Sequence, residues 1–446
     1  MKRNLYLKLL EWKKSPDKKP LIIRGARQVG KTYLLKEFGK KEYKTHIYLN
    51  FEDDPSLGEL FKARFDKDKI ISFLSAYCGE PVRPNETLLI FDEIQASDAA
   101  LNSLKYFNEN AAEYQIVAAG SLLGIKLSGE KSFPVGKVSF LTLYPMTFFE
   151  YLDAIGKGAL KELIESKNDF EAFPETFHVE LIDILKTYFL VGGMPEAVYA
   201  YSREKDFLQT RKIQDDILNA YLLDFSKHAG KSEIIRISEL WNSIPLHLSK
   251  VNKKMIFSAV REGARGREYE YALQWLENAG LICKSRNVSL PGIPLSAYAS
   301  RNIFKTYMLD VGLLGALSRL SPDTLIRGNE IFTHFLGAFI ENYVGQELVG
   351  NHGNPLYYWT SEGIAEIDFI LELDGKVLPF EVKAGINPKS KSMQFFNQKF
   401  NPPLLPRCNL LNLKKEAKTI NIPLYAVPFI GKLPDLDYSR HVDNPG

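Results

Sequence analysis

The sequence predicts an α/β protein whose first part is a parallel sheet covered by helices on both faces. Over residues 1–150, short and almost wholly apolar segments alternate with segments of helical periodicity. Fully apolar strands separated by helices are typical of a parallel sheet that is buried on both faces. A Gly-rich turn joins the first of these strands to the helix that follows it. At about 100–200 residues per domain, the 446 residues of the chain suffice for two to four domains.

The spacing of apolar residues predicts each element of this first part in turn. The predicted strands are Leu21–Arg24, Ile47–Phe51, Thr87–Asp92, Gln115–Gly120 and Val138–Leu143, and the predicted helices are 1–14, 31–38, 56–77 and 98–110. Residues 151–230 have helical periodicity that is broken at Gly192–Pro195, and residues 231–320 combine short helices with strand-like runs. An apolar helix over 332–349 then precedes a β-hairpin over 364–384.

Composition and charge exclude several classes of protein. Apolar residues make up 45% of the chain and charged residues 25%, which is typical of a soluble globular protein. The net charge of +3 is close to balanced, so no overall field attracts nucleic acid or an anionic membrane. Three distant cysteines without a C-x-x-C pattern argue against a disulfide framework and a zinc site, and they predict a reducing cytoplasm. Neither a run of about 18 apolar residues nor a signal-peptide core is present, so no membrane partner is expected.

The segment LIIRGARQVGKTYLL contains the pattern G-x-x-x-x-G-K-T. Such a loop binds nucleotide phosphates because its glycines let backbone N–H groups point inward, and because the next helix adds the positive end of its dipole. Lys31 is expected to contact the β- and γ-phosphates, and the Thr32 hydroxyl to ligate Mg²⁺. The loop is therefore predicted to bind ATP or GTP with magnesium. Its residues are Gly25, Ala26, Arg27, Gln28, Val29, Gly30, Lys31 and Thr32.

The strand LLIFDEIQ supplies two acidic residues that suit hydrolysis at this loop. Asp92 is expected to hold magnesium through water, and Glu93 to orient or deprotonate the attacking water. The alternative interpretation is a strand that ends in two solvated acidic residues. The fourth strand leads to Ser121, whose hydroxyl is predicted either to sense the γ-phosphate or to cap a helix N-terminus.

Several segments together resemble a known family. The runs IIRGARQVGKT, LLIFDEIQ, AAGSLLG, LTLYPMTFFEYL and YFLVGGMPEAV are similar to those of bacterial and archaeal AAA-family ATPases, of the AAA_14 type, that carry a C-terminal domain of unknown function, DUF4143. The later runs YMLDVGLLGAL and GAFIENYVGQEL resemble that C-terminal domain. The family also implies adenine rather than guanine as the base, so the expected cofactors are ATP and Mg²⁺.

The resemblance implies a domain order for the whole chain. It places an AAA-like P-loop ATPase core at 1–150, a helical lid at 151–230, a winged-helix-like region at 231–325, a restriction-endonuclease-like α/β domain at 326–434 and a tail at 435–446. The family often has Gly-Arg where this chain has Gly136-Lys137. Because Lys lacks the planar guanidinium, an arginine-finger role at Lys137 is not expected. AAA-like ATPases often form rings in which a neighbour's Arg completes the site, so a homo-oligomer is compatible with the resemblance.

The stretch IAEIDFILELDGKVLPFEVKAG predicts a β-hairpin with Asp374-Gly375 as its two-residue turn. If Leu373 pairs with Lys376, one face of the hairpin is wholly apolar and the other is charged, because side chains alternate along a strand. Pro379 suggests that the second strand lies at a sheet edge or has an unpaired amide. The charged face consists of Glu366, Asp368, Glu381 and Lys383.

This charged face is similar to the Asp…Glu-x-Lys arrangement of restriction-endonuclease-like nucleases. Asp368 would lie directly opposite Glu381, which destabilises a sheet unless a cation such as Mg²⁺ lies between the carboxylates. The resemblance implies that these two residues hold the metal, that Lys383 activates a water, and that Glu341 from the preceding helix completes the site. The alternative is an exposed, charge-paired face in which Glu366 and Glu381 both lie near Lys383.

The segments ISELWNSIPLHLSK, NKKMIFSAVREG and EYEYALQWLENAGLI predict three short helices, followed by the strand-like LICKS. This order is a winged-helix pattern. The aromatic residues Tyr269, Tyr271 and Trp275 favour core packing, whereas basic residues nearby favour a helix that faces DNA, so both interpretations stay open. The basic residues are Lys253, Lys254, Arg261, Arg265 and Arg267.

Two functional hypotheses follow from the sequence. The leading hypothesis is an ATP-hydrolysing molecular switch coupled to a nuclease-like C-terminal domain that handles nucleic acid, DNA rather than RNA. The alternative is an ATP-gated signalling or scaffold protein whose nuclease-like domain is a catalytically dead interaction module. A small-molecule kinase is discouraged, because Asp92 and Glu93 suit activation of water better than transfer to an acceptor.

Overall fold

The computed structural model divides the chain into two compact units. The N-terminal unit comprises Lys2–Tyr144 and Asn278–Leu281, and the C-terminal unit comprises Met1, Pro145–Glu277 and Ile282–Gly446. Asp374 of the predicted turn and the predicted tail lie outside the described residues, and the predicted domain boundaries stay predictions. The description leaves out residues 63–64, 122–135, 229, 251–252, 322–329, 354, 362, 374, 385–389 and 433–446, and the side chains of 228, 231 and 330–335.

The described part of the N-terminal unit contains a five-stranded sheet in the order β2-β3-β4-β1-β5, with every neighbouring pair parallel. One face of this sheet shares an apolar core with helices α3 and α4, while helix α2 packs against β2, β3 and β4. The predicted parallel sheet is therefore confirmed. The strands are β1 (Leu21–Arg24), β2 (Thr45–Asn50), β3 (Thr87–Asp92), β4 (Gln115–Ala119) and β5 (Ser139–Thr142), and the helices are α1 (Leu5–Lys14), α2 (Lys31–Glu42), α3 (Lys67–Cys78) and α4 (Asp98–Asn110).

The single helix predicted over residues 56–77 is wrong. A 3₁₀ segment, Pro55–Phe61, is followed by α3, which begins only at Lys67. The carboxylate of Asp66 accepts the backbone N–H of Lys69 at 3.2 Å and so caps a new helix N-terminus. Apolar periodicity runs through both segments and therefore does not show the boundary between them.

The parallel arrangement brings the predicted nucleotide residues to one edge of the sheet. Strands β3, β4 and β1 are adjacent, and their carboxyl ends lie on the same side. Strand β1 leads into Gly25, β3 ends in Asp92, and β4 leads to Ser121. In open α/β sheets this edge is where ligands bind.

The helices of the second part of the chain confirm the predicted break at Gly192–Pro195, because one helix ends at Val191 and the next begins at Pro195. No helix of the described residues is long and apolar enough to cross a membrane. The helices are α5 (Phe148–Ala154), α6 (Gly158–Glu165), α7 (Glu175–Val191), α8 (Pro195–Glu204), α9 (Phe207–His228), α10 (Lys231–Ser249), α11 (Gly266–Asn278), α12 (Val311–Leu317), α13 (Glu330–His352) and α14 (Lys391–Phe400). Further 3₁₀ segments of the chain are Ile94–Ala96, Phe257–Ala259, Leu295–Tyr298 and Leu424–Lys432.

The described part of the C-terminal unit contains an eight-stranded mixed sheet in the order β12-β13-β11-β10-β9-β8-β6-β7. Helix α14 packs against β9, and Trp359 of β8 contacts the aromatic rings of Phe396 and Phe400 in and beside that helix. The strands are β6 (Ile282–Val288), β7 (Ala299–Met308), β8 (Leu356–Ser361), β9 (Ala365–Leu373), β10 (Lys376–Val382), β11 (Leu405–Asn409), β12 (Lys414–Glu416) and β13 (Thr419–Pro423).

The helix predicted for NKKMIFSAVREG is also wrong, since only the three residues Phe257–Ala259 form a 3₁₀ turn there. The backbone N–H of Met255 donates to the carbonyl oxygen of Phe304 at 2.9 Å, and Lys254 forms an isolated antiparallel bridge with Lys305. This part of the segment is therefore extended along β7. The strand predicted after α11 is confirmed as β6.

The predicted hairpin register is confirmed from Leu373–Lys376 through Phe369–Phe380. Of the two predictions for Pro379, the sheet edge is wrong, because β10 lies between β9 and β11. The unpaired amide agrees with the structure, since the residues of β10 that pair with β11 are Glu381 and Val382, and the missing N–H of Pro379 removes no bond from that ladder.

Candidate functional site

The predicted phosphate loop lies between β1 and α2, as its motif requires. Gly25 has a φ of +147°, and a Cβ atom there would lie 2.1 Å from the carbonyl oxygen of Leu143, so a side chain is excluded. Gly30 has a φ of 93° at the N-terminus of α2, a conformation that glycine adopts without strain. The backbone therefore needs glycine at both fixed positions of the motif.

Lys31 is a buried ammonium group with only 6% of its surface exposed. Its Nζ donates to the carbonyl oxygens of Gly25 at 2.9 Å and Ala26 at 2.7 Å. Burial lowers the pKa of Lys31 to about 8, although the carboxylates of Glu93 and Asp92 act in the opposite direction. Carbonyl oxygens satisfy the donors but do not neutralise the charge, so the site favours an anion beside Lys31.

Thr32 and Asp92 meet directly at the edge of the sheet. The Thr32 hydroxyl donates to Oδ2 of Asp92 at 2.6 Å, and the Tyr48 hydroxyl donates to the same oxygen at 2.9 Å. Tyr48 was missed by the sequence analysis. Its signal is a hydroxyl within the predicted strand Ile47–Phe51, but only the pairing of β2 with β3 shows which carboxylate it reaches.

Glu93 follows Asp92 with a φ of 47°, in the left-handed region. Its Oε2 accepts the Ser121 hydroxyl at 3.2 Å and the side-chain amide of Gln95 at 2.5 Å. Ser121 thus lies beside the residue predicted to orient water. Gln95 was also missed, and its signal is its position two residues after Glu93. Both interpretations of Ser121 stay predictions, because the residues that follow it lie outside the described part of the chain.

The residues at this edge fit ATP and magnesium. Lys31 offers a buried positive charge whose partners are neutral carbonyl groups. The hydroxyl of Thr32 and the carboxylate of Asp92 converge on one place, and both are oxygen ligands of the kind that Mg²⁺ prefers. Within the loop, Arg27 instead forms an ion pair with Glu52 at 3.5 Å.

Two further basic residues of the N-terminal unit have defined partners. Arg3, which is 8% exposed, donates to the carbonyl oxygens of Val29 at 2.8 Å and Tyr144 at 2.5 Å. It therefore braces the phosphate loop from the start of the chain, a role that the periodicity of residues 1–14 did not show. Lys137 forms an ion pair with Glu109 at 2.9 Å.

A second cluster, here called the carboxylate cluster, lies in the C-terminal unit. It consists of Glu341, Glu366 and Asp368 around the ammonium of Lys305, a residue of β7 with no exposed surface. The Lys305 Nζ lies 2.9 Å from Oε1 of Glu341, 2.6 Å from Oε1 of Glu366 and 3.9 Å from Oδ1 of Asp368. Burial lowers the pKa of Lys305, but the three carboxylates outweigh burial and hold that pKa above its usual value.

The carboxyl groups of this cluster have unequal environments. Burial raises the pKa of Glu341, but Lys305 and Lys253 outweigh burial and lower it to about 2. Burial, followed by the charge of Glu341, raises the pKa of Asp368 to about 7. Oδ2 of Asp368 accepts the backbone N–H of Val382 at 2.8 Å. Within this cluster, Asp368 therefore holds a proton more strongly than Glu341 does.

Glu381 and Lys383 form a separate pair. Oε1 of Glu381 lies 2.8 Å from the Lys383 ammonium and accepts the Ser390 hydroxyl at 2.5 Å. Oε2 of Glu381 is buried and has no hydrogen-bond partner among the described residues. The alternative prediction that Glu366 also lies near Lys383 differs from the structure, in which Glu366 pairs with Lys305.

The sequence analysis therefore named most of the carboxylates and missed the cation at their centre. Lys305 is a lone basic residue in the apolar run IFKTYML, which is a signal, but the sequence does not show that β7 places it beside helix α13 and strand β9. Among the described residues, no group of three or more His, Cys, Asp or Glu is arranged to hold a metal ion. The catalytic roles predicted for Asp368, Glu381, Lys383 and Glu341 stay predictions.

The basic residues around α11 are partly neutralised by neighbours. Arg261 pairs with Glu239 at 3.7 Å, and Lys253 pairs with the buried Glu341. Arg265 and Arg267 are exposed. Buried Tyr269, Trp275 and Leu276 confirm core packing for most of the aromatic face, whereas Tyr271 is 46% exposed and does not belong to the core.

Four of the segments that carried the family resemblance contact one another in the core of the C-terminal unit. Asp310 accepts the backbone N–H of Gly193 at 2.6 Å, and Gly193 in turn accepts the N–H of Met146 at 2.7 Å. The side chain of Gln346 joins the N–H of Val311 to the hydroxyl of Tyr188, both at 2.8 Å. These motif residues are therefore buried hydrogen-bonding partners of one another, which explains them by packing.

Comparison with known families gives three matches along the chain. Residues 17–152 match the family described as AAA domain, 182–324 match a domain of unknown function (DUF8612), and 336–428 match a domain of unknown function (DUF4143). The chain thus carries an AAA domain of the AAA_14 type and a DUF4143 domain. Two curated relatives, the uncharacterized proteins Rv2008c of Mycobacterium tuberculosis and Mb2031c of Mycobacterium bovis, are each 36% identical over 92 residues. That match spans 20% of this chain and 20% of each relative.

Solved structures with partial likeness include three proteins of archaea and bacteria. The Walker-type ATPase PABY2304 of Pyrococcus abyssi is 16% identical over 71% of this chain and 95% of its own, with a TM-score of 0.44. Cdc6p of Pyrobaculum aerophilum is 13% identical over 72% and 92%, with a TM-score of 0.25. The RuvB Holliday junction branch migration motor of Thermotoga maritima is 15% identical over 63% and 88%, with a TM-score of 0.31. At these values the likeness identifies no shared function.

Proposed function

Because the chain carries an AAA domain followed by a DUF4143 domain, we propose that it is an ATP-hydrolysing molecular switch whose C-terminal unit handles nucleic acid. The observation that carries the ATPase half is the meeting of Lys31, Thr32, Asp92 and Glu93 at one edge of a parallel sheet. These four residues supply a phosphate-binding charge, two oxygen ligands and a carboxylate for water.

Each residue has a distinct part in this chemistry. The ammonium of Lys31 binds phosphate, since its present partners leave its charge unneutralised. Thr32 and Asp92 would hold magnesium, which neutralises phosphate charge when bound. Glu93 orients water or takes its proton, and its contacts with Ser121 and Gln95 fix the carboxylate in place. Arg3 keeps the loop in shape by bonding Val29.

The ATPase half is tested by steady-state hydrolysis and nucleotide binding on the full chain. Lys31→Ala should lower hydrolysis by about a hundredfold or more, since a single preorganised charge at a reacting group contributes that much. Glu93→Gln should lower hydrolysis comparably while ATP affinity stays within about threefold, because Glu93 acts on water. Lys137→Ala is the matched control, as it removes a paired surface lysine of the same unit. Equal hydrolysis in Lys31→Ala and Lys137→Ala would refute the proposal.

The nucleic-acid half rests on the winged-helix-like order of α10, α11, β6 and β7 and on the exposed guanidinium groups of Arg265 and Arg267. We propose DNA rather than RNA as the partner, because winged helices present a helix to the DNA groove. Double substitution Arg265→Ala/Arg267→Ala should weaken duplex binding and reduce its salt dependence, whereas Arg261→Ala, which removes a paired arginine, should do so less. The absence of binding to duplex and single-stranded DNA at low salt would remove this half.

A second candidate for the C-terminal unit is an interaction module that does not cleave. The specific observation in its favour is that the Lys305 ammonium lies beside Glu341 and Asp368, two of the residues that the nuclease resemblance places in a metal-dependent site. Incubation of the full chain with DNA and Mn²⁺, beside Asp368→Ala, separates the two candidates. Metal-dependent cleavage that is lost in Asp368→Ala establishes a nuclease. DNA that stays intact with both proteins establishes the non-cleaving module.

A further inference from the structure

We propose that the carboxylate cluster carries its own cation and binds no divalent metal, because the buried ammonium of Lys305 takes the position of the metal. This inference deepens the second candidate function and rests on it. A divalent metal is what a restriction-endonuclease-like site would need, and the residues present do not fit one.

The ammonium of Lys305 already lies at the carboxylate oxygens of the cluster. Lys305 Nζ lies within 2.9 Å of two carboxylate oxygens, from Glu341 and Glu366, and 3.9 Å from a third, from Asp368. A divalent cation in this cluster would need the same oxygens, at roughly 2.0–2.6 Å. An ammonium and a divalent cation on the same oxygens repel each other, so the ammonium already bound there disfavours the metal.

Glu341 has no free oxygen for a metal. Its Oε1 accepts from Lys305 and from the Tyr307 hydroxyl at 2.5 Å, and its Oε2 pairs with Lys253. These donors come from β7 and from the extended segment that lies beside it at Lys254 and Met255, so three side chains hold one carboxylate. A metal would have to displace buried, charge-assisted hydrogen bonds to reach Glu341.

The backbone and the side chain of Lys305 are both held in place, so the ammonium does not leave the cluster readily. Its backbone lies in the interior of β7, paired with Ser285 of β6 on one side and bridged to Lys254 on the other. Its ammonium also lies 4.9 Å from the ring centroid of Tyr358, and the side chain has no exposed surface. Withdrawal would leave the buried Glu341 with Lys253 as its remaining ammonium partner among the described residues, and loss of one partner of a buried ion pair is destabilising.

The Glu-x-Lys pair that would complete a nuclease site, Glu381 and Lys383, also has partners within the chain. Oε1 of Glu381 is held by Lys383 and by Ser390, and Asp368 accepts from the backbone of Val382. The two carboxylates predicted to share a metal therefore have separate partners within the chain. The described residues thus give each carboxylate its own partners, Lys383 and Ser390 for Oε1 of Glu381 and Val382 for Asp368, although Oε2 of Glu381 is buried without one.

Direct measurement of Mn²⁺ binding tests this inference on the full chain. Titration is followed by the electron paramagnetic resonance of free Mn²⁺, with every protein carrying Asp92→Ala so that the nucleotide site contributes nothing. The protein that keeps Lys305 should bind no Mn²⁺ at the cluster. Adding Asp368→Asn to that protein should therefore leave the measured Mn²⁺ binding unchanged. Lys305→Met should gain one site per chain, with affinity at least about tenfold above background, and adding Asp368→Asn should abolish it.

Lys253→Met is the matched control, because it also removes an ammonium from Glu341 but leaves Lys305 in place. It should gain no site. If Lys305→Met unfolds without metal, recovery of the folded state in millimolar Mn²⁺ supports the inference. Failure of Mn²⁺ to refold it contradicts the inference, as does a folded Lys305→Met that gains no site.

If the protein that keeps Lys305 binds Mn²⁺ and Asp368→Asn abolishes that binding, the inference is overturned. This outcome needs no substitution of Lys305. This readout is independent of hydrolysis and of DNA binding. A chain without ATPase activity or DNA affinity would end the proposed function and leave the metal result standing. A metal-binding cluster in an active ATPase would end the inference alone.

Discussion

Two buried lysines, one in each unit, show how surroundings decide what a charge can do. Lys31 donates to neutral carbonyl groups, and burial lowers its pKa to about 8. Lys305 is equally inaccessible, but three carboxylates surround it and hold its pKa above the usual value. The first ammonium hydrogen-bonds to neutral carbonyl groups and so suits a phosphate ligand. The second already has its counter-ions and suits none.

The largest expected effect is on stability, and it has opposite signs at the two lysines. Lys305→Met removes the cation that lies between three carboxylates and should lower the free energy of unfolding by about 3–5 kcal/mol. Lys31→Met removes a buried charge whose hydrogen bonds go to neutral carbonyl groups, so the free energy of unfolding should stay equal or increase. Urea unfolding at pH 7, followed by circular dichroism, measures both. Similar losses in the two variants would break the comparison.

Nucleotide affinity should depend on pH through Lys31. Its pKa in the free protein is lowered to about 8, and a bound phosphate favours the charged form, so binding takes up a proton above that pH. Affinity should be constant below pH 8 and fall by up to about tenfold per pH unit above it. Binding of a fluorescent ATP analogue from pH 6.5 to 9.5 measures this.

Lys31→Arg serves as the control for that profile, since a guanidinium does not titrate in this range. Its affinity should be weaker overall but level across the same pH values. A decline above pH 8 of the same slope in both proteins would assign the effect to another group.

Two tyrosines sharpen the comparison at a smaller scale. Tyr307→Phe removes a donor from the fully buried Glu341 and should cost about 1.5–3 kcal/mol of unfolding free energy. Tyr48→Phe removes a donor from Asp92, which keeps the Thr32 hydroxyl, and should cost about 0.5–1.5 kcal/mol. Thermal unfolding of the two variants against wild type gives the ranking, and the reverse order would contradict it.

The smallest expected effect is at the brace of the phosphate loop. Arg3→Lys keeps the charge but offers a point donor in place of the fork that reaches Val29 and Tyr144. One carbonyl should lose its partner, at a cost of about 0.5–1.5 kcal/mol, with ATP affinity reduced severalfold at most. Calorimetric titration with ATP checks this, and an unchanged affinity together with unchanged stability would remove the bracing role.

Much of the N-terminal unit was predictable because its signals are local. Strand β3 is wholly buried and mostly apolar, the loop from Gly25 to Thr32 has fixed spacing, and a parallel sheet places Asp92 beside that loop. The error over 56–77 arose where an apolar pattern continued through a helix boundary. Tyr48 and Arg3 were missed because their partners, Asp92 and Val29, depend on sheet order and on docking of the first helix.

The C-terminal unit was less predictable because its key contacts join distant segments. The hairpin register followed from Asp374-Gly375 and alternation, and it was confirmed down to Phe369 and Phe380. The predicted sheet edge at Pro379 was wrong, since the parallel neighbour β11 comes from later in the chain. A register within one hairpin is local, whereas the place of that hairpin in a sheet is not.

The sequence by itself determined the phosphate loop, the acidic residues after β3 and the charged face of the hairpin. Each follows from residue types at fixed spacing along one or two neighbouring elements. Only the tertiary structure decided which charges meet. Lys305 is 36 residues from Glu341 along the chain and Lys253 is 88 residues from it, yet both lysines bind its one buried carboxylate. Electrostatic interactions depend on distance in space and on burial, and the order of residues along the chain specifies neither directly.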